Sequence, residues 1–140
     1  MAITQTMTTS FKVELFTDVH DFSTDTIKMA LFTSAATLDA STTTYNTTNE
    51  VTGTGYDAGG KELTKVTPTS DGTTAIIDFS NDVTWATSTI TARGALIYND
   101  TVGDRAIAVL DFGSDKTSSN STFTVTFPTA TATSAIIRIE

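Results

Sequence analysis

The chain has 140 residues, 39% apolar and 17% charged, with 8 Gly and 2 Pro; this fits one domain with an ordinary core and excludes collagen-like or charge-driven disordered chains. Eight Lys and Arg against sixteen Asp and Glu give a net charge of −8, and no basic run exists to neutralise phosphates, so nucleic acid and anionic membrane surfaces are poor partners. The absence of cysteine removes disulfides, thiolate zinc sites and cysteine nucleophiles together.

Met1 to Ser10 carries neither a basic n-region nor an apolar h-region, and no window approaches the roughly 18 consecutive apolar residues of a spanning helix. The expectation is a protein without a signal peptide or membrane segment, kept in a cytosol. Threonine makes up roughly a quarter of the chain and, being β-branched, favours strands over helix.

Phe11, Leu15, Phe16, Val19 and Phe22 recur at helical spacing and predict one short helix from Ser10, its cap, to Phe22. Such a helix needs another surface to cover its apolar stripe. Residues 1–22 therefore read as an arm, and removing Met1 to Ser10 is expected to leave a folded protein. Strand patterns follow at Thr26 to Thr33, Glu62 to Thr67, Thr74 to Phe79, Val83 to Trp85, Thr89 to Tyr98, Ala106 to Phe112, Thr122 to Phe127 and Ala135 to Ile139. In Thr122 to Phe127 the apolar Phe123, Val125 and Phe127 alternate with threonine, as in a half-buried strand. Ala106 to Leu110 and Ala135 to Ile139 are nearly continuous apolar runs, which suit central strands or inter-subunit contacts. Asn99 to Asp104 has the residues of a tight reversal and predicts a hairpin between Ala95 to Tyr98 and Ala106 to Leu110; Asp71-Gly72 marks another turn.

The fold expected is all-β over residues 1–140 as a single domain: an antiparallel two-sheet sandwich or jelly-roll-like barrel of about eight strands, with one short N-terminal helix. Ser34 to Gly60 reads as a long polar loop with Tyr45, Val51 and Tyr56 as isolated anchors.

Candidate chemistry is sparse. His20 is the one histidine and no serine sits in a Gly-x-Ser-x-Gly elbow, so no triad is available by motif. His20 with Asp18, Asp21 and Asp25, and the Asp111 to Asp115 loop, are acidic groupings that helix-end and turn chemistry explain better than a metal. Gly53-Thr-Gly55 lacks the rest of a dinucleotide fingerprint. Trp85 reads as core, and Arg93 and Arg138 within strands call for ion partners or an exit to solvent.

Ser10-Phe-Lys-Val-Glu-Leu15, His20-Asp-Phe22, Asp25-Thr-Ile-Lys-Met-Ala-Leu-Phe-Thr33, Thr48-Asn-Glu-Val51, Gly53-Thr-Gly-Tyr56 with Ala58-Gly-Gly60, Thr91-Ala-Arg-Gly-Ala95 and Ala108-Val-Leu-Asp-Phe-Gly113 together resemble a family of small structural proteins of tailed bacteriophages. The resemblance covers nearly the whole chain. It implies a non-enzymatic virion component without cofactor, assembled in a bacterial cytoplasm, that decorates the capsid surface. Its partners would be the major capsid protein or another virion protein, and further copies of itself as a trimer. Tail, neck or baseplate parts and a glycan-binding or receptor-binding adhesin are the alternatives. On this reading Phe11, Phe16 and Phe22 of the arm and Tyr45 and Tyr56 of the loop are the candidate partner-binding residues.

Overall fold

The computed structural model, which describes residues 2–140, runs β1 (Thr6–Met7), α1 (Thr9–Glu14), β2 (Ile27–Phe32), β3 (Lys61–Glu62), β4 (Thr64–Lys65), β5 (Thr69–Asp71), β6 (Thr74–Ile77), β7 (Phe79–Ser80), β8 (Val83–Asn99), β9 (Arg105–Val125) and β10 (Ile137–Ile139). Its strands form antiparallel sheets ordered β1-β9-β8-β2-β3, β10-β6-β5 and β4-β7. This is an all-β sandwich with one short helix. The sheets do not close, so the barrel alternative is not realised.

The organising element is the β8-β9 hairpin. Asn99 Oδ1 accepts from the Thr101 amide, while Gly103 and Asp104 take left-handed backbone angles (φ 72° and 57°), reversing the chain where the sequence predicts it. Ala95 then pairs with Leu110, Leu96 with Val109 and Ile97 with Ala108. The strands are much longer than the sequence pattern suggests, at 17 and 21 residues. What reads as two strands on each arm is one continuous strand, because the intervening threonines and serines suit a pleated surface without apolar alternation. Register shifts between Trp85 and Ser88, Ser88 and Ile90, and Ala92 and Gly94 bend the ribbon so that its far half also packs on the core. There Val83, Trp85, Ile90, Phe123 and Val125 face inward while Thr84, Thr91, Thr122 and Thr124 face solvent.

Where β2 and the near half of the hairpin pair, both faces of the sheet are apolar. Ile27, Met29, Leu31, Ala95 and Ile97 belong to the main core, whereas Ala30, Phe32, Leu96 and Tyr98 belong to a second cluster on the other face. The segment between β2 and β3 covers that second face. Its Ala36, Leu38 and Tyr45 pack there, and single bridges tie Ile3 to Leu38, Phe32 to Glu50, Thr44 to Arg105 and Thr54 to Thr89. The polar loop is therefore a structural layer of the domain.

The arm is equally integrated: Ile3 is buried, and Thr6 and Met7 pair with Val109 and Ala108. Removing residues 1–10 would take away β1, the edge strand of the main sheet. Of the two expectations for 135–139, the central strand is not realised: β10 lies at the edge of its sheet, with Ala135 and Ile137 buried and Ile139 exposed.

Glycines permit the closest approaches. Gly60 has φ +70°, and a Cβ there would lie 1.8 Å from the Met29 carbonyl oxygen. Gly60→Ala is expected to cost well over about 1 kcal/mol, whereas Gly72→Ala, at φ +62° in an open turn, is expected to cost about 1 kcal/mol from backbone strain alone. Urea denaturation of both variants checks the order.

Candidate partner-binding surface

The N-terminal helix starts earlier and ends sooner than its apolar pattern predicts. Thr8, not Ser10, is the cap: its hydroxyl accepts from the Phe11 amide and donates to the Ala106 carbonyl at 3.1 Å, fixing the first turn to β9. The helix ends at Glu14, and Asp18 turns left-handed at φ 55°, so the chain doubles back. This return places Phe22 edge-on to Phe11 at 5.9 Å with the His20 ring 5.0 Å from Phe11. Phe11 and Phe22 are consequently core residues, 0% and 6% exposed, and neither is free to dock on a partner.

A polar chain, buried except at Arg105, holds this return in place. Glu14 accepts from Arg105 through Oε1 and contacts His20 Nε2 through Oε2, both at 2.6 Å. Asn99 Nδ2 faces His20 Nδ1 at 3.1 Å and donates to Asp25 Oδ2 at 2.7 Å. Since the Asn99 carbonyl oxygen is held by the Thr101 amide, its NH2 group points at Nδ1; His20 Nδ1 accepts and Nε2–H donates to Glu14. His20 thus serves the interior. Asp21 bonds Ser23 and Thr24, which lower its pKa, and among the described residues no group of three or more histidines and carboxylates is placed to hold a metal.

Because the helix stops after six residues, its outer side stays uncovered. Phe16 is 90% exposed, with Val13, one turn earlier, 58% and Leu15 37% exposed. Lys12 and Asp18 flank this knob. Of the sequence-predicted contact residues, Phe16 alone presents its ring to solvent. Val13 was missed, although its spacing of three from Phe16 puts both on one helical face.

The loop tyrosines face inward. Tyr56 is buried and its hydroxyl donates to Glu50 Oε1 at 2.7 Å while accepting from the Leu31 amide at 2.8 Å. Tyr45 donates to Glu50 Oε2 at 2.7 Å and stacks on Tyr98 at 4.6 Å. The Gly59 amide completes the set on Oε1, and Tyr98 donates to the Gly59 carbonyl. Burial first, and then the bond to Glu50, pushes the Tyr45 and Tyr56 pKa values up; burial does the same for Tyr98. Glu50 is invisible as a site in the sequence, yet it ties the loop to β2. These rings supply internal packing rather than a platform for a sugar.

A second surface feature lies at the sandwich edge. The half-buried Met7, Leu110, Phe112 and Ile136 line an open cleft of about 580 Å³ between the β1-β9 edge and the C-terminal segment, with Arg138 and Glu140 also lining it. Arg93 pairs with Asp111 across strands at 3.0 Å, as expected of a charge in a strand, whereas Arg138 reaches only the Ala132 carbonyl and otherwise meets solvent. Trp85 is core, with Lys61 over its ring. Gly53 and Gly55 allow the loop to lie against β8.

No protein-family model, curated protein or solved structure matches the chain.

Two predictions follow from the buried carboxyls. Glu50→Ala leaves two tyrosine hydroxyls and an amide without their acceptor and is expected to cost about 3 kcal/mol. Glu50→Gln keeps one oxygen for Tyr56 and Gly59 and is expected to cost about 1 kcal/mol. Urea titrations read both. Asp78, 1% exposed, bonds the Phe79 amide through one oxygen and leaves the other unpartnered; burial raises its pKa against the opposing amides of Phe79 and Ile136. With the folded value raised, stability is greatest below the unfolded pKa and falls as pH climbs through the folded one. Asp78→Asn is expected to gain about 1 kcal/mol at pH 7 and nothing at pH 3 in the same titration.

Proposed function

We propose that this chain is a non-enzymatic structural protein of a tailed-bacteriophage virion, a decoration protein that binds the major capsid protein on the head surface, works as a homo-oligomer, a trimer, and stabilises the shell. The resemblance of nearly the whole sequence to small phage structural proteins supports the reading. The observation that carries it is the knob of Val13, Leu15 and Phe16. A domain that covers both faces of its main sheet nevertheless holds a phenylalanine 90% exposed in the turn directly after a helix whose last residue, Glu14, is buried and tied to Arg105 and His20, which is the form of a rigid protein-docking feature.

Quantitative mass spectrometry of separated heads and tails from virions encoding the chain tests the assignment. Hundreds of copies on heads are expected. A few to tens on tails would move the protein to a neck, baseplate or adhesin role, and absence from both would overturn the reading. Phe16→Asp is expected to weaken attachment to particles at least tenfold in a co-sedimentation assay while leaving the melting temperature unchanged, because Phe16 has almost no folded-state packing to lose.

A further inference from the structure

We infer that the knob of one copy seats in the cleft of a second copy, so that the chain associates head to tail with itself. The inference rests on the reading above that the knob is a docking feature, and it names the occupant of both surfaces. Val13, Leu15 and Phe16 together offer only about 300 Å², against about 800 Å² per partner for a standard interface, so two knobs meeting face to face fall well short. An apolar projection of this size gains most by entering a concave site. The cleft supplies one: its 580 Å³ lies within the roughly 300–1,000 Å³ of sites that enclose a small apolar body. Its lining of Met7, Leu110, Phe112 and Ile136 is half-buried and already packs on the core, leaving their outer sides for an incoming ring.

Charge favours the same pairing. Lys12 and Asp18 border the knob in sequence, and Glu140 and Arg138 line the cleft, so each surface offers one charge of either sign for the other to pair with. The molecule cannot satisfy itself, since its own Phe16 stands in solvent. The contact is heterologous: each copy gives its knob to one neighbour and its cleft to another, an open chain keeps one free knob and one free cleft at its two ends, and the association closes into a ring or continues as a filament.

The absence of cysteine makes the test direct, because each introduced thiol is the sole one in its chain. Thr17→Cys and Gln5→Cys proteins, which place a thiol beside the knob and at the rim of the cleft while keeping both apolar surfaces, one isotopically labelled, are mixed and oxidised, and the disulfide-linked dimers are sorted by mass. A mixed dimer formed at least tenfold over either homodimer is expected. Equal or greater Thr17→Cys homodimer, or no crosslink beyond that of a Thr84→Cys surface control, would overturn the inference. In analytical ultracentrifugation of the natural chain, mass is expected to rise with concentration. Phe16→Asp should hold it at the monomer mass, Lys12→Glu should lower association about fivefold, and Glu140→Lys combined with Lys12→Glu should restore it. A natural chain that stays monomeric while Phe16→Asp still abolishes particle binding would assign the knob to the shell protein and sink the self-association. Head copy number is read independently, so loss of this inference and loss of the virion reading are distinguishable.

Discussion

The constraint on which the structure depends is that the β2-β8-β9 sheet is apolar on both faces and must be covered on both. The smaller sheets and the far half of the long hairpin close over one face. The other is left to segments with little regular structure, the loop between β2 and β3 and the N-terminal arm. Irregular segments bring polar backbone groups toward the core, and these need partners. Two buried glutamates help to answer this. Glu50 gathers two tyrosine hydroxyls and an amide to pin the loop, and Glu14 gathers Arg105 and His20 to pin the return after the helix. Each accepts at both oxygens, which is what keeps a buried carboxylate from becoming a liability.

The same anchoring defines the surface. Stopping α1 at Glu14 and folding His20 and Phe22 beneath it leaves no element to cover Val13 and Phe16, so the knob is a consequence of how the arm is fastened. Along β9 before the helix, β1 pairs with only two residues of β9 and β10 is a short edge strand, so the sandwich is left open between them. The arm thus contributes to both features, since Met7 lines the cleft and Phe16 tops the knob.

Patterns of period two and the turn chemistry of Asn99 to Asp104 were legible because they act locally. The sandwich class, the central hairpin and the half-buried strand at Thr122 to Phe127 followed from them. Strand length was not legible, since the serines and threonines of residues 113–121 give no apolar alternation and pair only because β8 lies alongside. The helix was misjudged for a related reason. Phe11 and Phe22, expected as partner-binding anchors along one helical face, instead both belong to the core, brought together by a left-handed turn at Asp18.

By itself, then, the sequence determined that the chain is an acidic, cysteine-free, threonine-rich β domain, where its main reversal falls, and which residues are apolar enough to need cover. The tertiary structure decided which of those residues received it. Phe11, Phe22 and Tyr56 went inside and Phe16 stayed out, because burial depends on contacts between segments far apart in the chain, such as Glu14 with Arg105 and Glu50 with the Gly59 amide, which no local period encodes.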